Sequence, residues 1–170
     1  TYLQEVAAVT EQVSNKELHV QVAPKSEHDL LNRSLQKMVE NLRTMMTEIE
    51  RQSWLKDGVS QLSLALSGDL SLKEVCQNAI SFVCRYVNAG SGTLYSFDTK
   101  AETLKLLGAF AFTERAKLSN IYRLGEGVVG QVALERAPIL LKHPTRQDGL
   151  ILTGTVSHSP AQTYTFPLLY

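Results

Sequence analysis

Between Leu31 and Ile49 the apolar residues recur at 4-3-4-3-4 spacing: Leu31, Leu35, Met38, Leu42, Met45 and Ile49. This is a heptad seam, the pattern by which helices pair side by side. Nothing interrupts it. No glycine occurs in residues 1–57, and all ten fall between Gly58 and Gly154. A second seam, Leu55, Val59, Leu62 and Leu66, begins six residues after Ile49 rather than seven, so the phase slips once, as in a stammer. A helix from Ser26 to Ser67 would be about 63 Å long. A globule of this chain length has a radius of gyration of about 15 Å. A stripe that narrow and that long predicts self-association as a parallel coiled coil or bundle. The expected seam is Leu31, Leu35, Met38, Leu42, Met45, Ile49, Leu55 and Val59, with strain or asymmetry where the phase slips between Ile49 and Leu55. The alternative is an amphipathic helix folded onto its own domain.

Upstream, Thr1–Ser14 reads as a helix with Leu3, Val6, Thr10 and Val13 on one face. Asn15–Val22 alternates apolar and polar and reads as extended, and Pro24 bars a helix before it. Ser26 is placed to cap the long helix, with Glu27 and Asp29 at its positive end.

From Gly58 onward the texture changes. Ten of the twelve aromatic residues lie there, and the class is α+β. Gly68-Asp69 ends the long helix. Ser71-Leu72-Lys73-Glu74 is a capping box, followed by a helix with Val75, Ala79, Phe82, Val83 and Val87 on one face. Thr93–Phe97 and Thr103–Phe112 form a hairpin around Asp98–Ala101. Thr113–Ser119 reads as a short helix and Val128–Arg136 as another. Ile139–Leu141 is a short strand, Lys142–Pro160 mostly loop, and Gln162–Tyr170 a last strand.

Several functions are disfavoured. The 17 basic and 17 acidic residues cancel and no basic block occurs, which argues against a nucleic-acid partner. The longest apolar run, Leu106–Phe112, is far short of a membrane span, and the first residues lack the basic-then-apolar pattern of a signal peptide. Cys76 and Cys84, if on one helix, lie about 12 Å apart along its axis, too far to bridge, and read as buried thiols. His19, His28, His143 and His158 show no metal-ligand spacing. His28-Asp29 lacks the residues that usually follow a phosphoacceptor histidine. Gly125-x-Gly127-x-x-Gly130 matches a dinucleotide fingerprint in spacing, but no βαβ unit surrounds it and Glu126 would repel phosphate. Those glycines are expected to supply positive φ and close packing. No catalytic constellation is visible, so the enzyme question stays open, and no cofactor is expected.

Two resemblances organise these features. Leu124-Gly125-Glu126-Gly127-Val128-Val129-Gly130-Gln131-Val132-Ala133, then Arg136–Leu141, resembles a GAF domain. Gly92-Thr93-Leu94-Tyr95 and Leu104-Lys105-Leu106-Leu107 precede it where that family places its first strands, and Tyr164–Leu168 follows it. Residues 1–50 resemble a HAMP signal-relay module. Val13–Val22 stands as helix end and connector, Ser26-Glu27-His28-Asp29-Leu30-Leu31 as the opening of the second helix, and Ser34-Leu35-Gln36-Lys37-Met38 as its Ala-Phe-Asn-x-Met stretch. The sequence departs from that pattern at Ser26, Asp29, Leu35 and Gln36.

These resemblances imply a HAMP module in 1–50, a helical linker in 51–67 and a PAS/GAF-like antiparallel sheet flanked by helices in 68–170. The last strand of the sheet is expected to be missing, leaving the strands split, directly paired, or completed by another chain. The implied parent is a membrane-anchored sensor with a downstream output such as a histidine kinase. The implied place is the cytoplasmic side of the inner membrane, reached only through upstream segments. The alternative is a soluble GAF protein, dimerised by its N-terminal helices, that binds a small molecule. Tyr95, Phe110, Phe112, Tyr122, Tyr164 and Phe166 are the candidate lining of a pocket for an unidentified ligand.

Overall fold

The computed structural model describes residues 2–15, 17–20, 22, 24, 29–111, 121–144, 151–153, 156–158 and 160–169. The chain forms two compact units, Thr1–Val59 and Ser60–Tyr170. The described elements are helices and antiparallel strands, so the class is α+β.

In the first unit, α1 spans Tyr2–Ser14. Val6, Val9 and Val13 are its half-buried side chains, whereas Thr10 is exposed and its hydroxyl donates to the Val6 carbonyl of its own helix. The connector is not an extended strand. Asn15 and Glu17 donate back to the carbonyls of Glu11 and Gln12, and Leu18 and His19 form a turn. Period-two alternation makes a strand only where a neighbouring strand takes up the backbone groups, and none lies here among the described residues.

The long helix, α2, is continuous from Leu30 to Ala65. Its cap is Asp29 rather than Ser26, which lies outside the described residues along with Glu27 and His28. The Asp29 carboxylate accepts from the Asn32 backbone N–H at 3.2 Å and from the Asn32 side-chain amide at 2.8 Å. A carboxylate at that position satisfies an orphan N–H and complements the helix dipole. The backbone stays helical through Ile49–Leu55, so the phase slip breaks no turn. Just before it, Glu48 accepts both guanidinium donors of Arg51 at 3.0 and 2.9 Å, and the Gln52 amide at 2.9 Å. Those bonds from Arg51 and Gln52 hold its carboxyl down to about 2.

In the second unit, α3 spans Leu72–Tyr86 and opens with the complete Ser71–Glu74 capping box. The helix packs across β1 (Gly92–Asp98) and β2 (Thr103–Phe110). Cys76 and Cys84 of α3 are both buried and both free thiols. A Cβ at Gly92 would lie 2.3 Å from the Cys84 Sγ, and one at Gly108 would lie 2.6 Å from the Cys76 carbonyl oxygen. Glycine in the strands therefore lets the helix settle directly on the sheet. Burial pushes both thiols above the usual cysteine range.

A third strand, β3 (Ile121–Arg123), pairs with the first residues of β2. Three residues are too few for a period to register in the sequence. The segment read as a helix over Thr113–Ser119 lies outside the described residues. Next comes α4, Gly127–Glu135, followed by β4, Ile139–Lys142. Two differences follow. The stretch Lys142–Pro160 contains a hairpin of β5 (Ile151–Thr153) and β6 (Val156–His158) where a loop was expected. The last strand, β7, is only Gln162–Thr165. It pairs with the four-residue β4, and Pro167 has no N–H with which to continue a ladder. Among the described residues the strands lie in three sheets, β1-β2-β3, β4-β7 and β5-β6.

Candidate functional site

Two sets of residues were candidates, the α2 seam and the aromatic cluster. They fare differently.

On α2 six of the eight seam residues are exposed. Leu31, Met38 and Leu55 are exposed and Leu35 and Leu42 half-buried, while Met45, Ile49 and Val59 are 60%, 58% and 64% exposed. The buried face of this helix is another one. Val39 is the most buried side chain, at 2%, and Asn32, seven residues before it, is also buried. Arg43, one turn beyond Val39, donates from Nε to the Leu18 carbonyl at 2.5 Å and from Nη2 to the Val20 carbonyl at 2.8 Å. An α-helix has about 3.6 residues per turn, about 100° each, so the stripe of Asn32, Val39 and Arg43 lies about 100° around the helix from the centre of the seam. Arg43 therefore holds Leu18 and Val20 beside this face of α2, while six of the eight seam residues stay exposed. Beside the connector, Val9, Gln12, Glu17, His19 and Val20 line a shallow groove of about 430 Å³.

The aromatic candidates do not converge. Tyr95 and Tyr122 meet edge to face with ring centroids 5.5 Å apart. Burial pushes the Tyr95 hydroxyl up to about 12, helped by the neighbouring Tyr122 and opposed by a hydrogen bond with Thr93. Phe110 is on the other side of the sheet. It pairs with Gly92, whose open side faces Cys84 of α3, and Arg85 of α3 sits 5.8 Å from its ring centroid. Side chains alternate along β1, so Tyr95 points away from the face that Gly92 presents to α3. Tyr164 and Phe166 pack on each other at 5.4 Å in the separate β4-β7 region and are 60% and 52% exposed. Phe112 lies outside the described residues.

The glycine block has a conformational role. Gly125 and Gly127 have φ of 79° and 60°, and a Cβ at Gly130 would lie 2.2 Å from the Arg123 carbonyl oxygen. The Glu126 carboxylate folds back to accept from the Arg123 backbone N–H at 2.8 Å, placing negative charge at the entry of α4. That charge opposes phosphate at a helix start. Among the described residues no group of three or more His, Cys, Asp or Glu is placed to hold a metal, and no helix is long and apolar enough to cross a membrane.

Sequence reasoning missed Arg43 and the Asn32–Val39 stripe. The heptad recurrence of Asn32, Val39 and Met46 was present as a signal, but its polar member concealed it. The partners of Arg43 lie 25 and 23 residues away and carry no local signature.

No protein-family model matches the chain, and no curated protein matches its sequence. Among solved structures, a crystal structure of an A. Aeolicus nlh2 GAF domain in an inactive state is similar to part of it, with 15% identity and a TM-score of 0.45. The match covers 54% of this chain and 54% of that one, so the chain spans about half the length of the structure it matches.

Proposed function

We propose that this chain is a signal-relay segment: a dimeric helical module feeding a GAF-type sensory domain. In this reading residues 1–50 act as a HAMP-type module, 51–67 as a helical linker and 68–170 as the GAF-type domain. The whole would serve a membrane-anchored sensor on the cytoplasmic face of the inner membrane, with an output such as a histidine kinase. The observation that carries the reading is the open seam of α2. A continuous helix of 36 residues keeps six of its eight seam residues exposed, while Asn32 and Val39 on a different stripe are buried. Exposing such a row in water is unfavourable, at about 25 cal/mol for each Å² of apolar surface, and a second parallel copy covers it without moving the connector. The helix–connector–helix order supports the relay reading. The order helix, hairpin, glycine turn, short helix and Pro-preceded strand supports the sensory one.

The test is sedimentation equilibrium of the whole chain, with Leu35→Glu/Leu42→Glu as the variant. A dimer that becomes a monomer in the variant supports the reading. A wild type that stays monomeric at high micromolar concentration ends it. Cysteine pairs at Met45 or Ile49 that cross-link like to like establish that the helices run parallel.

A further inference from the structure

This inference rests on the reading of α2 as a pairing helix. We propose that Met38 and Met45 form an oxidation site for peroxides, and that their conversion to sulfoxides separates the paired helices.

All the methionines of the chain, Met38, Met45 and Met46, fall within residues 38–46 of α2. Met38 and Met45 hold seam positions one heptad apart, in a row otherwise begun by Leu31 and Leu35 and continued by Leu42 and Ile49. Leucine packs such a seam at least as well, so packing alone does not call for methionine. What methionine adds is a thioether sulfur, soft and oxidisable. These residues are open to water: Met38 is 40% exposed, Met45 60% and Met46 39%. The chain's remaining sulfurs are shielded. Cys76 and Cys84 are only 8% and 4% exposed, where α3 meets the strand glycines. Burial also pushes both thiols up, away from the reactive thiolate form. A peroxide arriving from water therefore meets the seam before it meets a cysteine.

The step is an oxygen-atom transfer from hydrogen peroxide. A lone pair on the thioether sulfur attacks one peroxide oxygen, so an S–O bond forms and the O–O bond breaks. Sulfur gives up two electrons and the peroxide is reduced. The departing hydroxide takes the proton of the new S–OH group and leaves as water, and the sulfoxide remains. An apolar, flexible side chain has become a polar one. In a pair of parallel helices these groups, two from each copy, would face one another in the seam, where an unpaired polar group is unfavourable. In the single chain they are hydrated. Oxidation and pairing therefore oppose each other, and a sulfoxide reductase restores pairing by returning the thioether.

The experiment uses the whole chain as wild type, Met38→Leu/Met45→Leu and Met46→Leu. Each is treated with hydrogen peroxide until mass spectrometry finds sulfoxide at every remaining methionine. Leucine keeps the seam apolar at nearly constant volume and cannot take the oxygen. Sedimentation equilibrium before and after treatment is the first readout. The Kd of the wild-type dimer is expected to rise by about a hundredfold, and methionine sulfoxide reductases with their reductant are expected to bring it back. Met38→Leu/Met45→Leu is expected to stay dimeric after treatment, and Met46→Leu to follow the wild type. The second readout is the rate at which Met45 is oxidised relative to Met46. Met45 is the more exposed of the two in the single chain, and it is expected to become the slower as rising protein concentration pairs the seam. A dimer unaltered by sulfoxide at Met38 and Met45 overturns the proposal. Loss of the dimer in the treated double variant, or protection by Met46→Leu alone, also overturns it. So does a rate ratio that ignores concentration in a dimeric wild type. A wild type that is monomeric before any peroxide is added overturns the pairing reading itself, and the two failures are thereby told apart.

Discussion

Helices α2 and α3 begin from the same instruction and end differently. Each carries apolar residues on one side at helical spacing. On α3 that side is covered by β1 and β2, and the contact is close enough for Cys76 and Cys84 to meet glycines. On α2 the seam stays open although the helix is more than twice as long, at 36 residues against 15. The difference lies in what each helix can reach. A short loop after α3 delivers β1 and β2 of the three-stranded sheet, which pack back against it. Among the described residues the connector meets α2 at Arg43, which holds the Leu18 and Val20 carbonyls beside another face than the seam. Periodicity therefore selects a face, and the topology decides whether that face is filled from within or left for another chain.

The sharpest way to break the comparison is to deny α3 its cover. Gly108→Ala puts a Cβ within 2.6 Å of a main-chain oxygen of α3, which cannot swing aside. We expect a loss of about 3 kcal/mol, the upper range for overpacking, seen as a lowered urea midpoint by near-ultraviolet circular dichroism. An unchanged midpoint would mean that the helix does not sit on the sheet as closely as it does here.

A second change addresses α2. One alanine inserted between Gln52 and Ser53 restores the seventh residue between Ile49 and Leu55. In a dimer the two seams then run in phase, and the melting temperature at fixed protein concentration should rise by several degrees. In an unpaired helix the insertion would merely rotate one end and leave melting where it was.

The capping box of α3 allows a smaller, calibrated test. Ser71→Ala removes the hydroxyl that accepts from the Glu74 N–H and should cost about 1 kcal/mol in urea unfolding. Glu74→Gln retains a reciprocal side-chain acceptor for the Ser71 N–H and should cost less.

The smallest effect concerns pH. Burial pushes the Tyr95 hydroxyl up to about 12 in the folded chain, from 10.0 in the ordinary group. The folded state then holds its proton where the unfolded state has lost it. Its contribution is complete below pH 10 and falls as pH rises toward 12. Tyr95→Phe should flatten stability against pH across that window, measured by urea midpoints, and should remove the latest step from the tyrosinate absorbance titration. An identical alkaline slope in the variant would place the buried hydroxyl elsewhere.

Much of this architecture is legible in the residues because it is local. The heptads give α2, Ser71 and Glu74 give the start of α3, Asp98–Ala101 gives the hairpin turn, and the glycines around Glu126 give the entry to α4. Each rests on groups a few residues apart, whose geometry the backbone dictates without help. What failed depended on partners far along the chain. Val20 and Val22 look like strand residues, but a strand needs a second strand, and the Leu18 and Val20 carbonyls went to Arg43 instead. Ile121–Arg123 is a strand only because β2 offers it an edge.

The aromatic residues show the same limit from the other side. Their identity suggested a common lining, yet a strand sends alternate side chains to opposite faces. Phe110 pairs opposite Gly92 and shares the α3 side, Tyr95 and Tyr122 share the other, and Tyr164 belongs to a different sheet, with Phe166 packed on it just past the end of β7. The sequence by itself determined the four described helices, the start of α3 and which face of α2 is apolar, since these follow from spacing and from backbone groups within one or two turns. Only the tertiary structure decided that Asn32 and Val39 lie on the buried stripe while Met45 and Ile49 stay outside. Which of two adjacent stripes a helix buries depends on where a distant segment docks, and no local free energy carries that choice.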